Sequence, residues 1–282
     1  MNFIRKKLFN YLTAGETIKS LECKINVLEK QNLFPIVDYI KESATSKQQI
    51  KNSLLEYNKL VHVQKADYIA LKLSSLGYQE QTIEYLVNTL LDYDKKIMID
   101  AEDIQNQDKV TRITNKLIDK YNNDEVYIYK TYQMYRRDSL TMLNYDINNT
   151  KNLGVKLVRG AYYNQDYQSG RLFETKNETD NAYEKAMNLI FESNNTSAFI
   201  CTHNYNNINQ LINYMSTSYG ESKNDKIFHA SLYGFIPRDT KRIIKVGITT
   251  YKYLPYGNMD DAIPYLSRRV YENPKVLFYM LT

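Results

Sequence analysis

The chain is poor in the residues that cross-link or punctuate a fold: its 282 residues include two cysteines, five prolines and nine glycines. Cys23 and Cys201 lie far apart and belong to no CxxC or zinc-ligand pattern, so neither a disulfide framework nor a metal site is expected, and a reducing compartment is the default. No Pro/Gly/Ser-rich stretch marks a linker, which points to a single domain. No apolar run approaches the roughly 18 residues of a membrane-spanning helix. No GxGxxG follows the first strand-like segment, which weakens a Rossmann reading. Interleaved Lys and Tyr invite a nucleic-acid reading, but the formal charge of +5 is spread along the chain. With no basic cluster or binding motif, no nucleic-acid partner is expected.

What the sequence does contain is 43% hydrophobic residues, enough for one compact globular body. The abundance of Tyr, Asn, Lys and Ile is what an A/T-rich codon bias would produce without any function. The start, Met1 to Tyr11, is basic and amphipathic, with Arg5, Lys6 and Lys7 beside Phe3, Ile4, Leu8 and Phe9. It reads as a first helix, with a short targeting peptide or a membrane-surface contact as alternatives.

Short β-rich apolar runs then alternate with amphipathic stretches. The strand candidates are Phe34–Tyr39, Tyr68–Leu73, Lys96–Asp100, Val126–Tyr132, Val155–Arg159, Ala198–His203, Lys226–Ala230 and Ile248–Leu254. Helical patterns cover Ser46–His62, Glu80–Tyr93, Asp103–Tyr121, Thr179–Phe191 and Asn206–Tyr219. Eight such units in about 250 residues predict an α/β fold, a single (β/α)8 TIM-type barrel over residues 34–282 behind a helical segment at residues 1–33.

Hydrophobic periodicity does not demand the next feature. Strand after strand ends in polar residues: Lys72, Asp100, Gln133, Arg159, His203 and Tyr253. The C-terminal rim of a barrel is where catalytic groups sit. In the last helical segment, Tyr265, Arg268, Arg269 and Glu272 fall at i, i+3, i+4 and i+7 and share one face. Guanidinium forks, an aromatic ring and a carboxylate suit a small zwitterion. Spacing alone also admits a solvated face with an Arg268–Glu272 pair in the weaker orientation.

These segments resemble the proline dehydrogenase (proline oxidase) family. Lys156-Leu157-Val158-Arg159-Gly160-Ala161-Tyr162, Tyr253-Leu254-Pro255-Tyr256-Gly257 and Tyr265-Leu266-Ser267-Arg268-Arg269 look like family motifs in family order. So do Ala14-Gly15-Glu16, Leu71–Gly77, Ile99–Glu102, Tyr132–Tyr135 and Thr202-His203-Asn204, and together they span about residues 11 to 275. TYQ-x-Y and YKYLPYG are nearer the eukaryotic wording.

The resemblance implies FAD held non-covalently on a distorted (βα)8 barrel. It implies oxidation of L-proline to Δ1-pyrroline-5-carboxylate, with electrons passed to a membrane quinone. By the same resemblance the flavin side is Gln133, Lys156, Arg159, Gly160, Ala161, Tyr162, Thr202, His203 and Asn204. Lys176, with Thr179 and Asp180, would lie near the phosphates; an ordinary capping role for Thr179 is the alternative. The substrate side is Lys72, Asp100, Leu232, Tyr253, Tyr265, Arg268, Arg269 and Glu272. Of these, Asp100 would lie near the amine and orient Lys72 or Tyr253, and Glu272 would position the arginines.

Two departures stand out. Ser231 replaces a glutamine that the family usually places beside the flavin, which bears on affinity or redox potential. No long mitochondrial presequence precedes the first family block, so the expected location is the cytoplasm or the periphery of a quinone-containing membrane, the mitochondrial inner membrane if the source is eukaryotic. Relatives acting on hydroxyproline or another cyclic amino acid, and a barrel that binds without turnover, are the alternative readings.

Overall fold

The computed structural model describes residues 2–235 and 240–272. The chain begins with α1 (Asn2–Leu12), α2 (Ile18–Glu29), β1 (Phe34–Tyr39), α3 (Lys47–Lys59), β2 (Tyr68–Leu71), α4 (Glu80–Leu91) and β3 (Lys96–Ile99). It continues with α5 (Ile104–Tyr121), β4 (Ile128–Gln133), α6 (Ser139–Asn149), β5 (Leu153–Val158), α7 (Tyr163–Asp166), α8 (Lys176–Glu192) and β6 (Thr196–Cys201). It then runs through α9 (Tyr205–Met215), α10 (Ser218–Glu221), β7 (Ile227–Leu232), α11 (Thr240–Lys245), β8 (Thr250–Tyr256) and α12 (Ile263–Glu272). The strands follow one another in sequence order as a closed eight-stranded barrel, as the alternation predicts. Chain contacts gather into two compact units, Met1–Lys95 with Ser231–Pro237 and Tyr251–Thr282, and Lys96–Ala230 with Arg238–Thr250.

In the first unit, β1 pairs in parallel with both β2 and β8, so that Ile36 sits level with Tyr68 and with Tyr253. Alternation along each strand then sorts the side chains. Phe34, Tyr68 and Tyr251 share one face and touch ring to ring at 5.6 and 5.2 Å. Asp38, Lys72 and Tyr253 lie further along the same face. Helices α2 and α3 start at capping boxes, Thr17 with Ser20 and Ser46 with Gln49, which satisfy amides that the first turn leaves unpaired.

In the second unit, β4, β5, β6 and β7 pair in parallel in that order, and β3 pairs with β4. Gly154 lets β5 approach β4 closely: a Cβ there would stand 2.3 Å from Ile128 O. Tyr129, Phe199 and Phe228 form a buried aromatic row on the face that also carries Lys156.

Boundaries shift in ways that matter for the site. β2 stops at Leu71, and a 3₁₀ turn over Leu73–Leu76 takes the rest of the expected strand. β5 and β6 end at Val158 and Cys201, so Arg159, Thr202 and His203 sit in the following loops. β7 instead runs on to Leu232. Helix α8 begins at Lys176 with Thr175 as its N-cap, bonded reciprocally to Glu178. Thr179 therefore does not cap it. Helix α6, outside the helical patterns named above, buries Ser139 and Asp146 together with Leu143.

Candidate active site

The substrate-side residues of the first unit come together around two strand ends and α12. Lys72, one residue past β2, donates through Nζ to Asp38 of β1 and to Tyr253 Oη at 3.2 Å, and its ammonium lies 5.7 Å from the Tyr253 ring centre. Asp38 is fully buried. A carboxylate in that position is stable only with a cation beside it, and Lys72 supplies one. Leu232 closes β7, partly exposed.

On α12, Tyr265 and Arg269 are buried, and the Arg269 guanidinium stands 5.3 Å from the Tyr265 ring centre. Arg268 reaches Glu42 through both terminal nitrogens, Nη2 to Oε1 at 2.6 Å and Nη1 to Oε2 at 3.2 Å. This two-pronged geometry fixes the guanidinium plane. The residue expected to position the arginines was Glu272. The side chain of Glu272 lies outside the described residues, and Glu42 holds Arg268.

The amino-terminal segment brackets the approach to α12. Ala14 N donates to Pro255 O at 2.7 Å, Gly257 N donates to Gly15 O at 3.0 Å, and Met259 N donates to Glu16 Oε1 at 2.8 Å. Arg5 Nη2 donates to Asp260 Oδ1 at 2.6 Å. Leu8, Phe9 and Leu12 of α1 bury against Ile40, Ala262, Tyr265 and Leu266.

The second unit holds the residues expected on the flavin side. Lys156 Nζ donates to Asp100 Oδ1 at 2.5 Å, both side chains buried. Asp100, expected to lie near the substrate amine and to orient Lys72 or Tyr253, accepts this hydrogen bond from Lys156. Arg159 is held at three nitrogens: Nε to Asp180 Oδ1 at 2.8 Å, Nη1 to Thr202 Oγ1 at 3.0 Å and Nη2 to Asn207 Oδ1 at 2.5 Å. Its guanidinium also stacks over Tyr183 at 4.5 Å. Lys176, exposed at the start of α8, pairs with the same Asp180. Burial raises the Asp180 pKa, but hydrogen bonds from Lys176 and Arg159 outweigh it and hold the carboxyl below its usual range.

Gln133 bridges two loops, Nε2 to Glu102 O at 3.0 Å and Oε1 from Ala161 N at 3.3 Å. Gly160 has φ +139°, and a Cβ there would fall 1.8 Å from the Tyr135 ring, so only glycine fits. Tyr162 is buried. Asn204 caps α9, accepting from Asn206 N and Asn207 N. His203 is exposed beside it. Burial pushes the Cys201 thiol up to about 12, so it is no nucleophile at neutral pH.

Ser231, where the family usually carries a glutamine, is buried near the end of β7. On β7 it alternates with Leu232, and its hydroxyl accepts from Lys252 Nζ at 2.7 Å.

The closed, all-parallel barrel with alternating helices is of the (β/α)8 class. The chain belongs to the proline dehydrogenase family, oxidoreductases acting on proline: the family's sequence profile matches residues 21–277. Among curated relatives, the carbapenem antibiotics biosynthesis protein CarD of Pectobacterium carotovorum subsp. carotovorum is 28% identical over 92% of this chain and 77% of its own length. Mitochondrial proline dehydrogenase 1 of Drosophila melanogaster is 30% identical over 68% of this chain and 31% of its own. Proline utilization A (PutA) of Corynebacterium freiburgense superposes with a TM-score of 0.82 at 17% identity, covering 99% of this chain and 33% of that one. The chain thus spans about a third of the length of the mitochondrial and PutA proteins it matches.

Proposed function

We propose that the protein oxidises L-proline to Δ1-pyrroline-5-carboxylate with FAD, the first step of proline catabolism to glutamate, and passes the electrons to a quinone. The observation that carries this reading is α12, where Tyr265 and Arg269 are buried face to face and Arg268 is locked by Glu42. Buried guanidinium groups next to an aromatic ring match a molecule that is half carboxylate and half hydrocarbon. In this reading Arg268, Arg269 and Lys72 hold the proline carboxylate, and Tyr253, Tyr265 and Leu232 wall the pyrrolidine ring. Asp38 fixes the Lys72 ammonium.

The donor set of the second unit fits FAD. Arg159 uses three of its five N–H groups within the protein, which leaves two for an anion or a ring carbonyl. The first turn of α8, beside Lys176, offers unpaired amides and a positive dipole end to a pyrophosphate. Gln133 keeps one N–H of its amide for a heterocycle beside the Gly160–Tyr162 loop that it braces, with Thr202, His203 and Asn204 in the next loop. When bound, FAD supplies the two-electron acceptor that takes the hydride from proline C5. Lys156, anchored by Asp100, and Arg159 would hold the group and supply positive charge beside it. The catalytic barrel would occupy residues 34–282 behind the helical segment 1–33.

A 4-hydroxyproline substrate is the second reading, since hydroxyproline dehydrogenase of Xenopus laevis is 26% identical over 64% of this chain. Tyr265 argues against it. Its ring would crowd a 4-hydroxyl, and a hydroxyl left without a partner costs about 1–3 kcal/mol. Exposed Phe3 and Ile4 beside Lys6 and Lys7 on α1 suit a peripheral contact with an anionic membrane surface, where a quinone would be met. Among the described residues no helix is long and apolar enough to cross a membrane.

The test is product formation from L-proline and from 4-hydroxyproline with a soluble quinone. The expected result is a preference for proline of roughly 10- to 100-fold in kcat/KM, narrowed in Tyr265→Ser chiefly by loss of proline activity. Equal rates on both substrates would overturn the substrate assignment, and inertness toward both would overturn the function.

A further inference from the structure

Beside Tyr253, strand β8 carries a lysine for which the reading above has no use. Lys252 is 3% exposed, and its ammonium donates to Ser231 Oγ at 2.7 Å and to Phe235 O at 2.8 Å. Among the described residues it has no carboxylate partner. Among the described residues the amine is held by a hydroxyl and a carbonyl, an arrangement costlier to bury than an apolar side chain.

The two acceptors define the role of Lys252. Ser231 immediately precedes Leu232, and Phe235 follows it by three residues. Between them, Tyr233 N donates to Tyr253 O at 3.0 Å, the residue next to Lys252. Strand alternation puts Lys252 and Ser231 on the face opposite Tyr253 and Leu232. The ammonium therefore ties the Leu232 segment to the Tyr253 strand from behind. Phe235 extends the tie, since its ring packs on the apolar cluster that includes Tyr265 and Leu266. One side chain thus ties the segments of Leu232 and Tyr253 directly, and reaches the cluster of Tyr265 through Phe235.

We propose that Lys252 is a positioning residue for substrate recognition: by tying Ser231 and Phe235 to β8, it sets the gap between Leu232 and Tyr253 into which the proline ring fits. This rests on the assignment of those residues to proline. Charged or neutral, the amine can donate to both oxygens, so the tie survives titration. Ser231 is part of it because a short hydroxyl at that position lets the lysine reach past to the Phe235 carbonyl.

The experiment uses the full-length, FAD-loaded protein and two variants, Lys252→Met and Ser231→Ala. Lys252→Met keeps length and apolar bulk but removes both donations; Ser231→Ala removes one acceptor. Flavin content should be unchanged and kcat should stay within about twofold, while KM for proline rises about tenfold in Lys252→Met and about threefold in Ser231→Ala. In the double variant neither member of the pair is left without its partner. Its Tm should recover toward wild type while KM stays high, a split that a merely structural lysine would not produce. Wild-type KM in Lys252→Met overturns the proposal, as does a parallel fall of kcat, flavin content and Tm. If Lys252→Met does not fold, an unchanged KM in Ser231→Ala overturns it. A wild-type protein inert toward proline removes the functional reading and this role with it, whereas an active wild type with indifferent variants removes the role alone.

Discussion

Replacing Glu42 by glutamine is the sharpest perturbation of the proposed substrate clamp. Glu42 accepts from both terminal nitrogens of Arg268, and the two side chains are 14% and 19% exposed. Glutamine keeps the shape and one acceptor oxygen but loses the charge and the second acceptor. Hydrogen bonds to charged groups contribute about 1.5–3 kcal/mol, and the residual exposure places this pair at the low end of that range. At about 1.4 kcal/mol per decade, KM for proline should rise about tenfold. Flavin content and the rate of flavin reduction at saturating proline should not change, because the residues assigned to the flavin are untouched. Steady-state kinetics on Glu42→Gln, Arg268→Ala and the double variant make the check. If Glu42 acts through Arg268, the second substitution adds almost nothing to the first. Fully additive losses, or an unchanged KM in Glu42→Gln, would refute the reasoning.

Other outcomes follow from single positions. Gly160→Ala should give soluble protein with little or no flavin, read from its absorbance, because a Cβ would stand 1.8 Å from the Tyr135 ring. Arg159→Ala should lose FAD on dilution and slow single-turnover reduction, measured by stopped flow; full flavin retention with a normal rate would clear Arg159 of the role. Burial lowers the Lys252 pKa to about 8 from an ordinary 10.5. Between those values the unfolded chain binds a proton there that the folded protein does not, so this group makes stability rise with pH across that window. Urea midpoints at pH 7.5, 9 and 10 should therefore gain less with pH in Lys252→Met than in wild type; identical slopes would contradict the assignment.

Much of the barrel was legible because parallel strands announce themselves as short β-branched and aromatic runs. Phe34–Tyr39 matches its strand at both ends. Three strand ends slid for one reason: Lys72, Arg159 and His203 are polar residues at the rim, and sequence alone does not say whether the ladder stops before or after them. The flavin-side cluster was legible only as a set of motifs. What the motifs missed is the opposing charges. Asp38 carried a usable signal, a carboxylate inside the otherwise apolar run Phe34–Tyr39, which a buried strand tolerates only beside a cation. Glu42 carried none. It sits in a loop far from Arg268 in sequence, and only the fold brings the two together. Lys252 carried no signal either, since only the fold sets its ammonium against Ser231 and the Phe235 carbonyl.

The central claim, that this barrel oxidises proline through a bound flavin, is tested most directly by anaerobic titration of the purified protein with L-proline. The account predicts a yellow protein whose visible flavin absorbance bleaches in proportion to added proline and returns when a quinone is admitted. A protein that binds flavin but keeps its oxidised spectrum at saturating proline would contradict it.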